Sequence, residues 1–247
     1  VSKKKSQNQR SETARKAAEV MRAQQAQTRR RTVLIQAGVA VAAVIAVLLV
    51  TVAYLASTDD EAPAATPSAV DDRGAFVVGN PDAPVTVEVV EDFQCPACQA
   101  FEQVASDLLT SYAEGEEVNV AYRGIAFLDR ASSTDYSSRA LNASACVMAE
   151  GEDVWTQYHR TLFAQQPPEG GAGLTDEKLI ELAVDSGADE DGVRTCVEDR
   201  TYADWARATT QQAGDDGVNG TPTVFVNGEE LDENTPEAIG AAVDAAS

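Results

Sequence analysis

The chain has 247 residues and a formal net charge of −21, and that charge is unevenly placed. Residues 1–32 hold ten Lys/Arg against two Asp/Glu, residues 33–56 hold none, and residues 57–247 hold nine against 38. Only the basic tail invites a nucleic-acid reading, and beside an apolar run it reads instead as a topology signal near anionic lipid, so no nucleic-acid partner is expected.

At about 1.5 Å per residue the uncharged run gives a helix of roughly 36 Å, enough to cross a hydrocarbon core of about 30 Å. A secretory signal peptide is the rival reading, but its apolar core is usually only about 7–15 residues long. A buried soluble helix fits poorly, because the run offers no polar face. Arg29, Arg30 and Arg31 lie on one side of the run and Asp59, Asp60 and Glu61 on the other. Positive residues stay cytoplasmic. The sequence therefore predicts a single-pass cell-membrane protein: cytoplasmic tail 1–32, membrane helix 33–56, Pro/Ala/Asp/Ser-rich linker 57–73, and an extracytoplasmic domain 74–247. That domain is long enough for a real core, and it holds all four cysteines.

Ala75 to Val78 reads as a short strand, followed by a turn over residues 79–84. Residues 85–90 are β-rich and almost continuously apolar, as in a buried central strand. A helix follows from Pro96 to about Tyr112, with Phe101, Val104, Ala105, Leu108 and Leu109 at helical spacing and Gly115 as the stop. Residues 118–122 form the next strand, so this β-α-β unit places parallel neighbours. Residues about 131–213 are helical in pattern, with breaks at Gly151, at residues 167–173 and at Ser186-Gly187, and with Thr175 as an N-cap. Residues 223–226 return to strand, Asn227-Gly228 is a hairpin turn, Glu230-Leu231 starts a partner strand, and Thr235-Pro236 opens a last helix. No internal repeat is present. The order is that of an α/β, thioredoxin-like sheet interrupted by an inserted helical subdomain.

Cys95-Pro96-Ala97-Cys98 falls at a strand-to-helix junction. A helix N-terminus has unpaired N–H groups and a positive dipole end, and both favour thiolate over thiol. Cys95, at the cap, is the expected nucleophile; Cys98, one turn in, is the expected resolving thiol. The spacing alone leaves redox, structural disulfide and zinc readings open. Zinc usually needs four Cys/His ligands, often as two close-spaced pairs; Cys146 and Cys196 are fifty residues apart and His159 is the only histidine, so no metal is expected, and no cofactor. In such a fold the proline of Gly220-Thr221-Pro222-Thr223 is expected to be cis and to pack against the Cys pair, with an ordinary trans turn proline as the alternative, which makes Thr221, Pro222, Pro96 and Ala97 the candidate substrate contacts.

The segments Glu91-Asp92-Phe93-Gln94-Cys95-Pro96-Ala97-Cys98 and 220–228, with the helical block between them, resemble the DsbA family over residues 74–247, and more narrowly its membrane-anchored members in actinobacteria. The resemblance implies a thiol–disulfide oxidoreductase that donates disulfides to reduced, unfolded secreted or cell-surface proteins. It also implies a VKOR-type membrane reoxidase as partner. Many thioredoxin-like proteins keep a buried acid six residues before the first Cys; here that position is Val89. Glu91 or Asp92 is the candidate proton relay, with solvated strand-end charges as the alternative. Relatives with a cysteine pair like Cys146 and Cys196 hold it as a structural disulfide; two free buried thiols are the alternative. Trp155, Phe163 and Trp205 read as core, and His159 as a surface or satisfied helix residue. An isomerase or reductase with the same residues, and a non-catalytic tethered binding module, remain as other functions. No dimerisation segment is evident, so a monomer is expected.

Overall fold

Val85–Glu91 (β2) is the strand on which the domain is built. Its apolar sequence lets it lie between two neighbours: it pairs in parallel with Val118–Gly124 (β3) and antiparallel with Thr223–Val226 (β4). Phe76–Val78 (β1) adds to the outer edge of β3, and the two-residue Glu229–Glu230 (β5) to that of β4, both antiparallel. The sheet order is β1-β3-β2-β4-β5. Asn227 and Gly228 turn the β4–β5 hairpin with φ of 49° and 83°, the two positive values that a tight primed turn requires.

The computed structural model describes residues 44–47 and 65–247. The expected membrane span 33–56 lies outside these apart from 44–47, which are helical and exposed; the basic tail 1–32 lies outside them too. Among the described residues no helix is long and apolar enough to cross a membrane. Residues Pro63–Ser247 form one unit. The end of the expected linker is folded onto it: Val70 bridges to Phe76, and Asp71 Oδ1 accepts from the Arg73 and Ala75 N–H groups.

Helix α1, Pro96–Ala113, crosses from β2 to β3. Its inward stripe is Cys98, Phe101, Glu102, Ala105 and Leu109. Val104, expected inside, is 62% exposed, and the position one turn below Cys98 is filled by an acid instead. After β3 a 3-10 turn over Phe127–Ala131 leads into the inserted helices α2 (Tyr136–Met148), α3 (Glu152–Ala164), α4 (Asp176–Asp185), α5 (Glu190–Glu198) and α6 (Ala203–Asp215). Thr175 and Asp189 cap α4 and α5 by accepting from Lys178 N and Gly192 N. Helix α7, Pro236–Ala246, capped by Thr235, returns to the sheet with Ile239 and Val243 buried. A disulfide joins Cys146 on α2 to Cys196 on α5.

Because side chains alternate along a strand, β2 has two distinct faces. Val87 and Val89 join the main core with Trp155, Phe163 and Trp205. Glu88 and Val90 point the other way, where Glu88 pairs with Arg73 at 2.5 Å and faces Arg123, itself held by Asp216 at 2.8 Å. Glu91 shares the face of Val89, one step nearer the helix.

Candidate active site

The β2 strand ends at Glu91 and the chain turns at Asp92. This side chain is the anchor of the turn: Oδ1 accepts from Gln94 N at 2.9 Å and from Ser137 Oγ at 2.6 Å, and Oδ2 accepts from Leu128 N at 2.9 Å. Burial is the main cause that lifts its carboxyl to about 6, against the pull of these donors. Cys95 is then the N-cap residue of α1, in extended conformation, with Pro96 as the first helical residue.

An N-cap side chain faces the N–H groups two and three residues on. In place of the usual cap oxygen, Cys95 offers sulfur. The Cys98 thiol is the strongest influence lowering the Cys95 pKa, to about 5; burial opposes it, while Thr221 and the Cys98 and Ala97 N–H groups assist. Cys95 is 8% exposed and Cys98 fully buried. Burial pushes the Cys98 thiol far above its ordinary value, and hydrogen bonding to the Cys95 sulfur adds to this. Both are free thiols here. The pair is thus strongly unequal, one sulfur favouring the ionised form and the other the protonated form.

The cis Thr221–Pro222 peptide lies at the same site. In its thiol form Cys95 donates to the Thr221 carbonyl oxygen at 3.3 Å, although the two residues are 126 apart in sequence. Pro96 and Ala97 are exposed, and Thr221 and Pro222 half-buried, around this sulfur. The structure brings all six of these residues together.

Glu91 and Asp92 are both buried, which corrects the alternative of solvated strand-end charges. Glu91 Oε1 is hydrogen-bonded to His159 Nε2. His159 is therefore no surface residue: it is buried, and satisfied by an acid 68 positions away that no local pattern pairs with it. Glu102 joins them, and one ligating atom from each of the three lies within 4.8 Å of the others. The imidazole Nε2 is already bonded to Glu91, so we assign no metal.

Three further residues escaped sequence reading. Gln94 Nε2 donates to the Pro168 and Gly171 carbonyls, and Gln166 Nε2 to those of Phe93 and Cys95, so two glutamines tie the 165–173 loop to the Cys95 turn. Glu102 carried one legible signal, an acid at i+4 from Cys98 within an apolar stripe.

A five-stranded sheet with an unequal dithiol at a helix cap, facing the carbonyl before a cis proline, defines a thioredoxin-fold thiol–disulfide oxidoreductase. A family model described as Thioredoxin matches residues 71–245. Oxidised DsbA from Mycobacterium tuberculosis is 31% identical, with a TM-score of 0.61 over 69% of this chain and 91% of that one. BdbD from Bacillus subtilis, at 22% identity and a TM-score of 0.63 over 74% of this chain and 97% of that one, shares the fold. Among curated relatives, the serine/threonine-protein kinase PknE of M. tuberculosis is 32% identical over 161 residues, 62% of this chain. The matched region spans only 28% of that kinase. Disulfide bond formation protein D of B. subtilis is 25% identical over 63% of this chain and 68% of its own length. The chain belongs to the thioredoxin family, as a DsbA-type thiol–disulfide oxidoreductase.

Proposed function

We propose that this enzyme introduces disulfide bonds into reduced, unfolded secreted or cell-surface proteins. The observation that carries the reading is the inequality of the two thiols: a Cys95 thiolate favoured near neutral pH, beside a Cys98 held protonated. A low-pKa first cysteine stabilises the reduced enzyme, which makes its disulfide the more oxidising. A substrate thiolate attacks Cys95 Sγ of the Cys95–Cys98 disulfide, and Cys98 leaves. The substrate's second thiolate then attacks the mixed disulfide and releases Cys95, so the substrate is oxidised and the enzyme left as a dithiol. Thr221 offers its backbone to an extended substrate beside Pro222, while Pro96 and Ala97 form the exposed lip. Of the two acids that precede the pair, Glu91, with an unpaired carboxylate oxygen, is the better relay, since Asp92 is saturated by three donors.

The location is proposed from the sequence alone. Residues 33–56 anchor the chain, the basic tail stays in the cytoplasm, and the 74–247 domain acts outside, as a monomer re-oxidised by a VKOR-type membrane partner. Cys146–Cys196 staples the helical subdomain and takes no part in exchange.

The test is oxidation of a reduced, unfolded model protein by the oxidised enzyme, with Cys95→Ser as control. Activity in that variant removes the catalytic assignment. Equilibration with glutathione then fixes direction: a potential near that of thioredoxin, about −270 mV, belongs to a reductant and would contradict disulfide donation.

A further inference from the structure

We propose that Arg123 and Asp216 are a positioning pair for substrate capture: Arg123, buried under the sheet, holds Asp216 and thereby sets the segment that carries Thr221 and Pro222 against Cys95. This rests on the reading of Thr221 and Pro222 as the backbone contact for an extended substrate.

Arg123 stands on β3 beside Val90 of β2, on the face of the sheet turned away from the main core. It is 1% exposed, and a buried guanidinium is costly unless its charge is offset. Two acids are in reach. Glu88 Oε1 lies 3.7 Å from Arg123 Nη1, but Glu88 is already paired with Arg73 at 2.5 Å. Asp216 Oδ2 accepts from the same Nη1 at 2.8 Å. Arg123 Nε and Nη2 have no hydrogen-bond partner, so the guanidinium is anchored through Nη1, and its charge is directed to Asp216.

Asp216 is an unexpected residue for its place. It follows the last turn of α6, where a helix presents its negative end, and no basic residue stands in that turn. An acid there opposes the helix dipole, and Arg123 supplies the compensating charge from the neighbouring strand. The helix is thus fastened to the end of β3 at two points. Thr210 Oγ1 accepts from Ala126 N at 3.0 Å, and Asp216 accepts from Arg123.

The chain beyond Asp216 leads directly to the sulfur. Gly217, with φ of 92°, lets it leave the helix, and Val218 N donates back to Ala213 O at 3.0 Å. Val218 is buried with Val90, Ile125 and Ala213 in a small second core. Only Asn219 and Gly220, both exposed, separate that anchor from Thr221. On the far side Asn234 Nδ2 donates to the Pro222 carbonyl at 2.7 Å. The Thr221 carbonyl stands 3.3 Å from Cys95 Sγ, so a small lift of the α6 end moves it out of contact. Arg123 and Asp216 touch no reacting atom; they act through the backbone between Asp216 and Pro222. A substrate that pairs with the Thr221 backbone depends on that placement. A small thiol that needs only the sulfur does not.

The test compares two reductants of the oxidised full-length enzyme: a short peptide carrying two cysteines, and dithiothreitol. Asp216→Ala releases the end of α6. Arg123→Met combined with Glu88→Gln does the same while leaving no unpaired buried charge. In each, the rate with the peptide should fall roughly 10-fold and the rate with dithiothreitol far less, so the ratio of the two rates drops. Asp216→Glu should restore the ratio. The Cys95 thiolate midpoint, assisted by Thr221, should rise from about 5 in Asp216→Ala. A wild-type ratio in both altered enzymes, or an equal fall in both rates, would overturn the proposal. Pro222→Ala separates this result from the substrate-contact reading. If that variant keeps the wild-type ratio, the contact at Thr221 and Pro222 is itself wrong. If it lowers the ratio and Asp216→Ala does not, only the role of Arg123 and Asp216 fails.

Discussion

Gln166 Nε2 donates to the Cys95 carbonyl oxygen at 2.9 Å, and the same nitrogen reaches the Phe93 carbonyl at 3.1 Å. One side chain from the loop after α3 therefore pins the turn that presents the nucleophilic sulfur. Gln166→Ala removes both bonds and should cost about 1–2 kcal/mol of stability and slow exchange several-fold. Denaturant melts and oxidation rates check this. Gln166→Glu should be worse, because it sets a carboxylate against two carbonyls.

The Cys95 thiolate should titrate near 5 by its ultraviolet absorbance. Cys98→Ala removes the largest contributor and should return the midpoint toward the ordinary thiol range. The depressed value also has a stability consequence. Its contribution to the dithiol form is full above the ordinary thiol pKa and is lost as pH falls through about 5. Between pH 5 and 8 the dithiol form should accordingly gain on the disulfide form as pH rises, read as the difference in their melting temperatures.

Asp92 satisfies the Gln94 N–H, the Leu128 N–H and the Ser137 hydroxyl. Asp92→Ala leaves these donors without an acceptor and should destabilise by about 2–4 kcal/mol. Its pKa is raised to about 6, so folding favours the protonated acid and that advantage disappears as pH rises from about 4 through 6. The stability gap between wild type and variant should narrow over this window.

Replacing Cys146 and Cys196 together by alanine opens a loop of 50 residues. The loss should be about 2–4 kcal/mol, measured by denaturant unfolding. Disulfide exchange at Cys95 should persist below the new melting temperature.

Most of the scaffold could be read from local pattern. The β2 run, the Pro96 helix start, the Asn227-Gly228 turn and the Thr175 cap each carry a short-range signal, and each is where the sequence puts it. The redox pair was legible for the same reason. What could not be read is side-chain meeting across elements. Val89 occupies the place where many thioredoxin-like proteins carry an acid, and a buried acid, Glu91, stands two residues on along the same strand face. Nothing local says that Glu91 will find His159, 68 positions later, or that Glu102 will turn inward while Val104 turns out. Periodicity ranks apolar residues, and it fails where a buried position is filled by a charge that has a distant partner.

The β4 strand pairs with β2 through registers such as Val87 with Val226, yet it arrives only after five inserted helices. A chain emerging from its N-terminus completes Cys95, Cys98 and one flank of β2 long before residues 223–226 exist. Until then the other flank of β2 is an open template for any extended segment, and the sulfur lacks the Thr221 backbone that will face it. The reactive pair is thus the earliest part of the centre to be made and the last to be enclosed.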